Sequence, residues 1–403
     1  MRRYDELYSL YERFDTDTLR AYRDFVDLFP PVDSRVALDY WEEAHDALTE
    51  RTDDVADVHG ETLAALAAHA TREQAFTALD LHTKYDRGVN ALVLDVDETL
   101  RSAGGTDNEI PRETLHLLTV FHENDVPIVV CTGQTLENVK GFLNQGLGNE
   151  LFHSGAVSVV YEAGTGVFTP GHGPDTKRLL YERLDDDVQS VFQAVRGRVL
   201  PDAPENVRRG CHLQGNEFNV TLKPNYETGS DDAVAVIDEA TVYLTSLLAD
   251  AAPVLDEADV RAYYAERDPE IAAVLDDADS RPDDHEVDDD ALALLERVQL
   301  AYYEGDAAEL TADELDKPAG VRAALDVLGV DDPFALVMGD SKSDLRVMEW
   351  VADADAGIAA APTHSSSRVI DHVESTDGLV YDRGAAGDVL RTVYALNRLA
   401  ASE

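Results

Sequence analysis

Three short apolar runs end in polar residues, and this pattern constrains the chain more than any other. Ala91-Leu-Val-Leu94 runs into Asp95, Pro127-Ile-Val-Val-Cys131 into Thr132-Gly133, and Phe334-Ala-Leu-Val-Met338 into Gly339-Asp340. Such runs read as strands buried on both faces, the signature of a parallel sheet covered by helices. Between the first two runs, Leu115, Leu118, Val120 and Phe121 recur at helical spacing. In open α/β sheets, ligands bind beyond the carboxyl ends of the strands. Polar residues at all three ends therefore point to a site there. The expected fold class is α/β: a doubly wound parallel sheet with an inserted α+β segment and a helical N-terminal extension.

The chain has 403 residues, enough for two or three domains at roughly 100–200 residues each. The texture divides it at 1–88 (helical extension), 89–171 (core, first part), 172–312 (an insertion of different texture) and 313–403 (core, second part). In the extension, Leu7, Leu10, Tyr11 and Phe14 recur at helical spacing, as do Leu19, Tyr22, Phe25 and Val26. Pro30-Pro31 breaks the pattern, and Asp33 or Ser34 is placed to cap a helix bearing Val36, Tyr40, Trp41 and Leu48. A third helical stretch covers 55–82. These aromatics read as core or packing face, which leaves two roles for the extension: packing on the core or self-association. Within 172–312 the pattern predicts helices at 185–196, 231–250 and 291–303. It also predicts a hairpin turning at Gly215-Asn216 and a solvated acidic loop over 276–290.

Charge excludes whole classes of partner. Lys and Arg total 33 against 81 Asp and Glu, a formal net charge of −48. Such a potential repels nucleic acid and anionic membranes, which need basic stripes. With 44% hydrophobic residues, the chain still has the material for a sizeable core. The acid is spread along the whole length, and only six residues are lysine. This composition resembles that of cytoplasmic proteins from salt-loving archaea, where molar salt screens self-repulsion within a few Å. Cys131 and Cys211 give no disulfide framework or metal spacing. The opening Met1-Arg-Arg-Tyr-Asp5 lacks an apolar signal core, and no run of 18 apolar residues occurs. The expected location is the cytoplasm.

Asp is so abundant that an Asp-x-Asp pair alone carries no information. Position gives Asp95 and Asp97 their weight: they follow a buried strand directly, with Thr99 and Leu100 next. Two carboxylates there are costly unless a cation accompanies them, and a hard cation such as Mg²⁺ prefers oxygen ligands. Asp340 and Asp344 repeat the arrangement four residues apart. Thr132-Gly133 offers a hydroxyl and open backbone N–H groups suited to an anion. Lys317, at a predicted helix start, is a second anion neighbour.

This ordered set resembles the haloacid dehalogenase superfamily of phosphohydrolases, over 89–171 and 313–403. Asp95-Val-Asp97-Glu-Thr99 looks like its first motif, Thr132 its second, Lys317 its third, and Asp340 with Asp344 its fourth. The resemblance implies that Asp95 attacks phosphorus and that Asp97 serves as acid and then base. It implies that Mg²⁺ is held by the Asp95 carboxylate, the Asp97 backbone carbonyl and Asp340, with Asp344 either a further ligand or a support behind the ligands. Thr132, Gly133 and Lys317 would bind phosphoryl oxygens. Only 33 residues separate Thr99 from Thr132, room for a flap hinged at Gly104-Gly105, whereas 185 separate Thr132 from Lys317. The large insertion resembles the type-two cap of the Cof-type and sugar-phosphate phosphatase branch. Ser154-Gly-Ala-Val157 and Tyr161 fit a strand pair that precedes that cap.

Gln134 stands where that branch usually has Arg, Ser154 where Asn is common, Lys342 where a small residue is usual, and Pro318 follows Lys317. In the cap, Arg208, Arg209, His212, Asn216, Asn219 and Lys223 cluster around the predicted hairpin as candidate contacts to a small phosphorylated metabolite. His153 and His172 read as structural. The expected activity is Mg²⁺-dependent hydrolysis of a small phosphomonoester, a sugar or polyol phosphate. The alternatives are a phosphomutase of the same branch and a catalytically idle scaffold using the N-terminal helices.

The charge generates the first prediction. Cooperative unfolding will require high salt, with the midpoint rising as KCl increases from 0.1 M toward molar concentrations. An unfolding curve unchanged by dilution to low salt refutes this reading of the acidic surface.

Overall fold

The computed structural model describes residues 2–29, 35–101, 110–283 and 285–401. The Pro30-Pro31 break, the caps at Asp33 or Ser34 and the Gly104-Gly105 hinge lie outside the described residues. The chain opens with α1 (Arg2–Arg13), α2 (Thr16–Leu28), α3 (Arg35–His59), α4 (Glu61–His69) and α5 (Arg72–Tyr85). The stretch expected as one helix over 55–82 is therefore divided. Gly60, at φ +85°, separates α3 from α4. Thr71 opens α5 with a reciprocal capping box to Gln74.

The core follows with β1 (Ala91–Leu94), α6 (Arg112–Glu123), β2 (Ile128–Cys131), α7 (Leu136–Phe152), β3 (Val157–Tyr161), β4 (Gly166–Phe168) and β5 (Lys177–Leu179). The insertion holds α8 (Asp186–Arg198), α9 (Glu205–Gly210), β6 (Cys211–Leu213), β7 (Val220–Pro224) and α10 (Gly229–Ala249). It continues with α11 (Glu257–Arg267), α12 (Pro269–Asp277), α13 (Asp289–Leu295), β8 (Val298–Tyr303) and β9 (Ala307–Ala312). The core resumes with α14 (Lys317–Leu328), β10 (Ala335–Met338), α15 (Lys342–Asp353), β11 (Gly357–Pro362), α16 (Ser367–Ser375), β12 (Leu379–Tyr381) and α17 (Ala386–Ala400).

The central sheet runs β12-β11-β10-β1-β2-β3-β4-β5. Strands β12 through β3 are parallel, and β4 and β5 turn back antiparallel. Strand β5 carries the sheet past residue 172, where the texture of the sequence had placed the start of the insertion. All four residues of β1, β2 and β10 are buried, the double-faced burial their apolar runs predicted. Leu92, Leu94, Ile128, Val130, Leu336 and Met338 share one face with α6, α7 and α17. Ala91, Val93, Val129, Cys131, Ala335 and Val337 share the other with α14, α15 and α16. From β1 the chain moves to β2 in one direction and later to β10 in the other. The end of β1 is thus the topological switch point, where a crevice opens between diverging connections.

The insertion forms a four-stranded antiparallel sheet, β6-β7-β9-β8. Val220, Leu222, Val298, Leu300, Ala308 and Leu310 bury one face in an apolar cluster with the cap helices. Two local expectations fail here. The helix predicted over 291–303 ends at Leu295, and Val298–Tyr303 is a strand. Its residues alternate between buried and more open positions, a two-residue period that the preceding leucines obscure. The hairpin does not turn tightly at Gly215-Asn216. Residues 214–219 form a longer loop because Phe218 sinks inward, stacked on Phe192 and Tyr181. Arg208 and Arg209 belong to α9 rather than to a strand.

The N-terminal helices form an extra layer. Helix α17 packs on α4, α5 and α6, and α2 packs on α6. Leu7, Leu10, Leu19 and Leu48 enter the same apolar cluster as β1 and β2. Tyr40, assigned to the packing face, is instead 64% exposed. The layer is pinned by buried Arg391 on α17. Its Nε donates to Glu113 Oε1 at 2.7 Å, its Nη2 to Asp24 Oδ1 at 2.6 Å and its Nη1 to the His69 carbonyl at 2.8 Å. Removing Arg391 leaves the buried His69 carbonyl without this donor, while the Asp24 and Glu113 carboxylates, 41% and 42% exposed, return to water, at about 1–3 kcal/mol in all. Arg391→Ala should therefore destabilise the protein by that order in high-salt denaturant unfolding. A change below about 1 kcal/mol contradicts the role given to this residue.

Candidate active site

Each predicted core residue sits at the carboxyl edge of the central sheet or at an adjoining helix start. Asp95 follows β1, Thr132 follows β2 and Asp340 follows β10, while Lys317 and Asp344 occupy the first turns of α14 and α15. Local chemistry fixes those helix starts. Asp316 caps α14 by accepting the Ala319 N–H at 2.8 Å, and Pro318 is tolerated because first-turn N–H groups need no helical partner. Ser341 caps α15, and its N–H and Oγ donate to Asp344 Oδ2 at 3.1 and 2.5 Å. Gly339 permits this approach: a Cβ there would lie 2.3 Å from the Asp344 Cβ.

The centre is a buried cation between two buried carboxylates. Lys317 Nζ donates to Asp95 Oδ1 at 3.0 Å and to Asp344 Oδ1 at 2.6 Å. The exposures are 7% for Asp95, 4% for Lys317 and 3% for Asp344. Burial pushes the Asp95 carboxyl well above its ordinary range, against the pull of Lys317. Burial alone would lower the Lys317 ammonium, but Asp344 and Asp95 outweigh it and hold the group charged. Burial, then repulsion from Asp344, raises Asp340 to about 6. Carboxylate oxygens of Asp95, Asp340 and Asp344 all lie within 4.8 Å of one another. Three carboxylates and one ammonium leave two uncompensated negative charges when ionised. An all-oxygen donor set with that charge fits Mg²⁺.

Thr132 is buried, and its Oγ1 accepts the Gln134 N–H at 3.1 Å. Beside it, the space a Cβ of Gly133 would take is empty. Asp97 lies outside the carboxylate trio. Its Oδ1 accepts from Arg101 Nε at 3.0 Å and Nη2 at 2.7 Å, and its Oδ2 accepts from Gln134 Nε2. Gln134, the departure noted in the sequence, thus links the Thr132 loop to the second acid.

The cap lies over this edge. A cleft of about 360 Å³ is lined from the core by Lys317, Ser343 and Arg346 and from the cap by Gln299, Glu309 and Thr311. The Glu309 carboxyl accepts from Thr221 Oγ1 at 2.7 Å and is raised by burial. None of Arg208, His212, Asn216, Asn219 or Lys223 lines that cleft. Arg208 and His212 are exposed, and Lys223 faces Asp306 at 3.5 Å. Asn216 Nδ2 donates to Thr221 Oγ1, and Asn219 Nδ2 to the Glu162 carbonyl. Gln299 is missed because the sequence over 291–303 reads as helix, and alternate spacing through Gln299, Ala301 and Tyr303 was the available signal; Glu309 and Thr311 lie on β9, which the sequence pattern did not single out.

No family model matches the chain, and no curated protein matches it. Solved structures give similarities of low identity. Trehalose-6-phosphate phosphatase from Aspergillus fumigatus is 15% identical, with 80% of this chain and 97% of that one covered at a TM-score of 0.43. A haloacid dehalogenase-like hydrolase from Bacteroides thetaiotaomicron is 13% identical, with coverages of 76% and 98% and a TM-score of 0.41. A Thermotoga maritima protein is 12% identical, with coverages of 76% and 97% and a TM-score of 0.44. Among the described residues, no helix is long and apolar enough to cross a membrane.

The carboxylate trio predicts cation-linked stability. At a hundred times its Kd, Mg²⁺ should stabilise the protein by about 2.7 kcal/mol, and Asp340→Asn should remove most of that gain. Thermal unfolding in molar KCl, with Mg²⁺ or a chelator, measures it. An equal Mg²⁺ response in both proteins rejects the shared cation site.

Proposed function

We propose that this protein hydrolyses a small phosphomonoester, a sugar or polyol phosphate, through an aspartyl-phosphate. The observation that carries this reading is the Asp95–Lys317–Asp344 contact at the switch point of the sheet, with Asp340 beside it. A carboxylate held against a buried ammonium is poised as a nucleophile toward a group whose negative charge the ammonium can share. Support also comes from the resemblance of four ordered motifs.

Asp95, Asp340 and Asp344 would hold Mg²⁺, which would neutralise the phosphoryl oxygens and the carboxylates around them. An Asp95 carboxylate oxygen forms the bond to phosphorus as the ester P–O bond breaks. Lys317, the Thr132 hydroxyl and the Gly133 N–H hold the phosphoryl oxygens. Asp97 in its acid form gives its proton to the departing alkoxide. It then takes a proton from the water that attacks the aspartyl-phosphate, which releases inorganic phosphate and restores the Asp95 carboxylate. Arg101 and Gln134 fix the direction of Asp97 for both steps.

The cleft volume suits a small leaving group. Gln299, Thr311 and Glu309 present hydrogen-bonding groups to it that match hydroxyls, and Lys342, Arg346 and Arg368 also line it.

A panel of sugar, polyol and aryl phosphates in molar KCl with Mg²⁺ tests the reading. Inorganic phosphate should appear without an added acceptor, and Asp95→Asn should reduce its release by at least about 10³-fold. No release from any ester, or release indifferent to Asp95→Asn, refutes it. Turnover only with a sugar acceptor selects the mutase instead.

A further inference from the structure

Between the phosphate-site loop and the cap lies a turn that neither the motifs nor the proposed chemistry uses. Glu162 and Ala163 have φ of +48° and +53°, and Gly164 has +112°. The turn is bound on three sides. The Glu162 N–H donates to the Gln134 carbonyl at 2.9 Å and the Ala163 N–H to the Thr132 carbonyl at 3.0 Å. Gly164 lies against the residue preceding Lys317: a Cβ there would be 2.0 Å from the Asp316 carbonyl oxygen. On the third side, the Glu162 carboxylate enters the cap. It accepts the Glu217 N–H at 2.5 Å and the Phe218 N–H at 3.3 Å, and its carbonyl accepts Asn219 Nδ2 at 3.1 Å. Glu162 is 1% exposed. Arg196 holds the same cap loop from within, through the Asn216, Phe218 and Asn219 carbonyls.

We infer that Glu162 is a positioning residue that latches the cap loop 216–219 to the segments bearing Thr132 and Lys317, and so sets where the cap stands over the phosphate site. The inference rests on the phosphatase reading for its kinetic consequence, but not for the latch. Phosphoryl contacts come from the core alone, whereas leaving-group contacts come in part from the cap. Loosening the latch should therefore weaken the ester and spare inorganic phosphate. Such a loss is uniform in ground and transition states, so it appears in KM.

Two variants test this. In Glu162→Gln, hydrogen exchange at the Glu217 and Phe218 amides should accelerate at least about tenfold while β1 and β2 amides keep their protection. For the best ester, KM should rise about tenfold, with kcat within about threefold and the inhibition constant of inorganic phosphate within about twofold. Asn219→Ala, which removes one bond from the cap side, should give a smaller change of the same kind if Glu162→Gln does not fold. Unchanged exchange at Glu217 and Phe218 in a folded variant overturns the latch. A fall in kcat with KM unchanged, or parallel loss of phosphate affinity, overturns its positioning role. If the wild type hydrolyses no ester, the phosphatase reading fails while the exchange arm still decides the latch.

Discussion

The buried ammonium of Lys317 between Asp95 and Asp344 is the interaction around which the core is arranged. Charges taken out of water incur a desolvation penalty that only close, well-satisfied pairing offsets. Here the pairing draws on residues 222 positions apart in sequence. It requires the end of β1 and the starts of α14 and α15 to meet at one point. The capping chemistry of Asp316 and Ser341, and the bare backbone of Gly339, are local means to that end. Asp340 adds a charge the ammonium does not neutralise, and its carboxylate completes a cluster whose oxygens lie within 4.8 Å of one another.

Two additions are built onto that core, one on each side of the central sheet. The N-terminal helices thicken the face covered by α6, α7 and α17, and Arg391 ties them down from within. The cap continues the apolar cluster of the opposite face and sets a polar strand surface over the carboxyl edge. In a chain of net charge −48, Lys317 is a screened, inward-facing cation held between two carboxylates at this edge. Glu162 ties the cap loop to the core through its carboxylate, which accepts the Glu217 and Phe218 N–H groups, and its backbone carbonyl, which accepts Asn219 Nδ2.

Much of this was legible because period and position were unambiguous. The apolar runs at β1, β2 and β10 have no polar interruption, so both faces had to be buried. The residues that follow them necessarily stand at one edge of a parallel sheet. Asp95, Thr132, Asp340 and Asp344 stand out for that reason, and Lys317 as a lysine at a predicted helix start; the structure brings all five to that edge. The cap failed where the local signal was shared. Leu292, Leu294 and Leu295 lead directly into Val298–Tyr303, and the run fits helix and strand alike. Asn216 and Asn219 were taken for ligand contacts because they are polar and near a turn, yet they bond inward to Thr221 and the Glu162 carbonyl.

The sequence by itself determined β1, β2 and β10, their burial on both faces and the residues at their ends, because these depend on side-chain character along a few adjacent positions. Only the tertiary structure decided which cap face meets the core, that Gln134 steers Asp97, and that Glu162 grips the 216–219 loop. Those outcomes depend on distances between segments far apart in the chain, and no local pattern encodes such a distance.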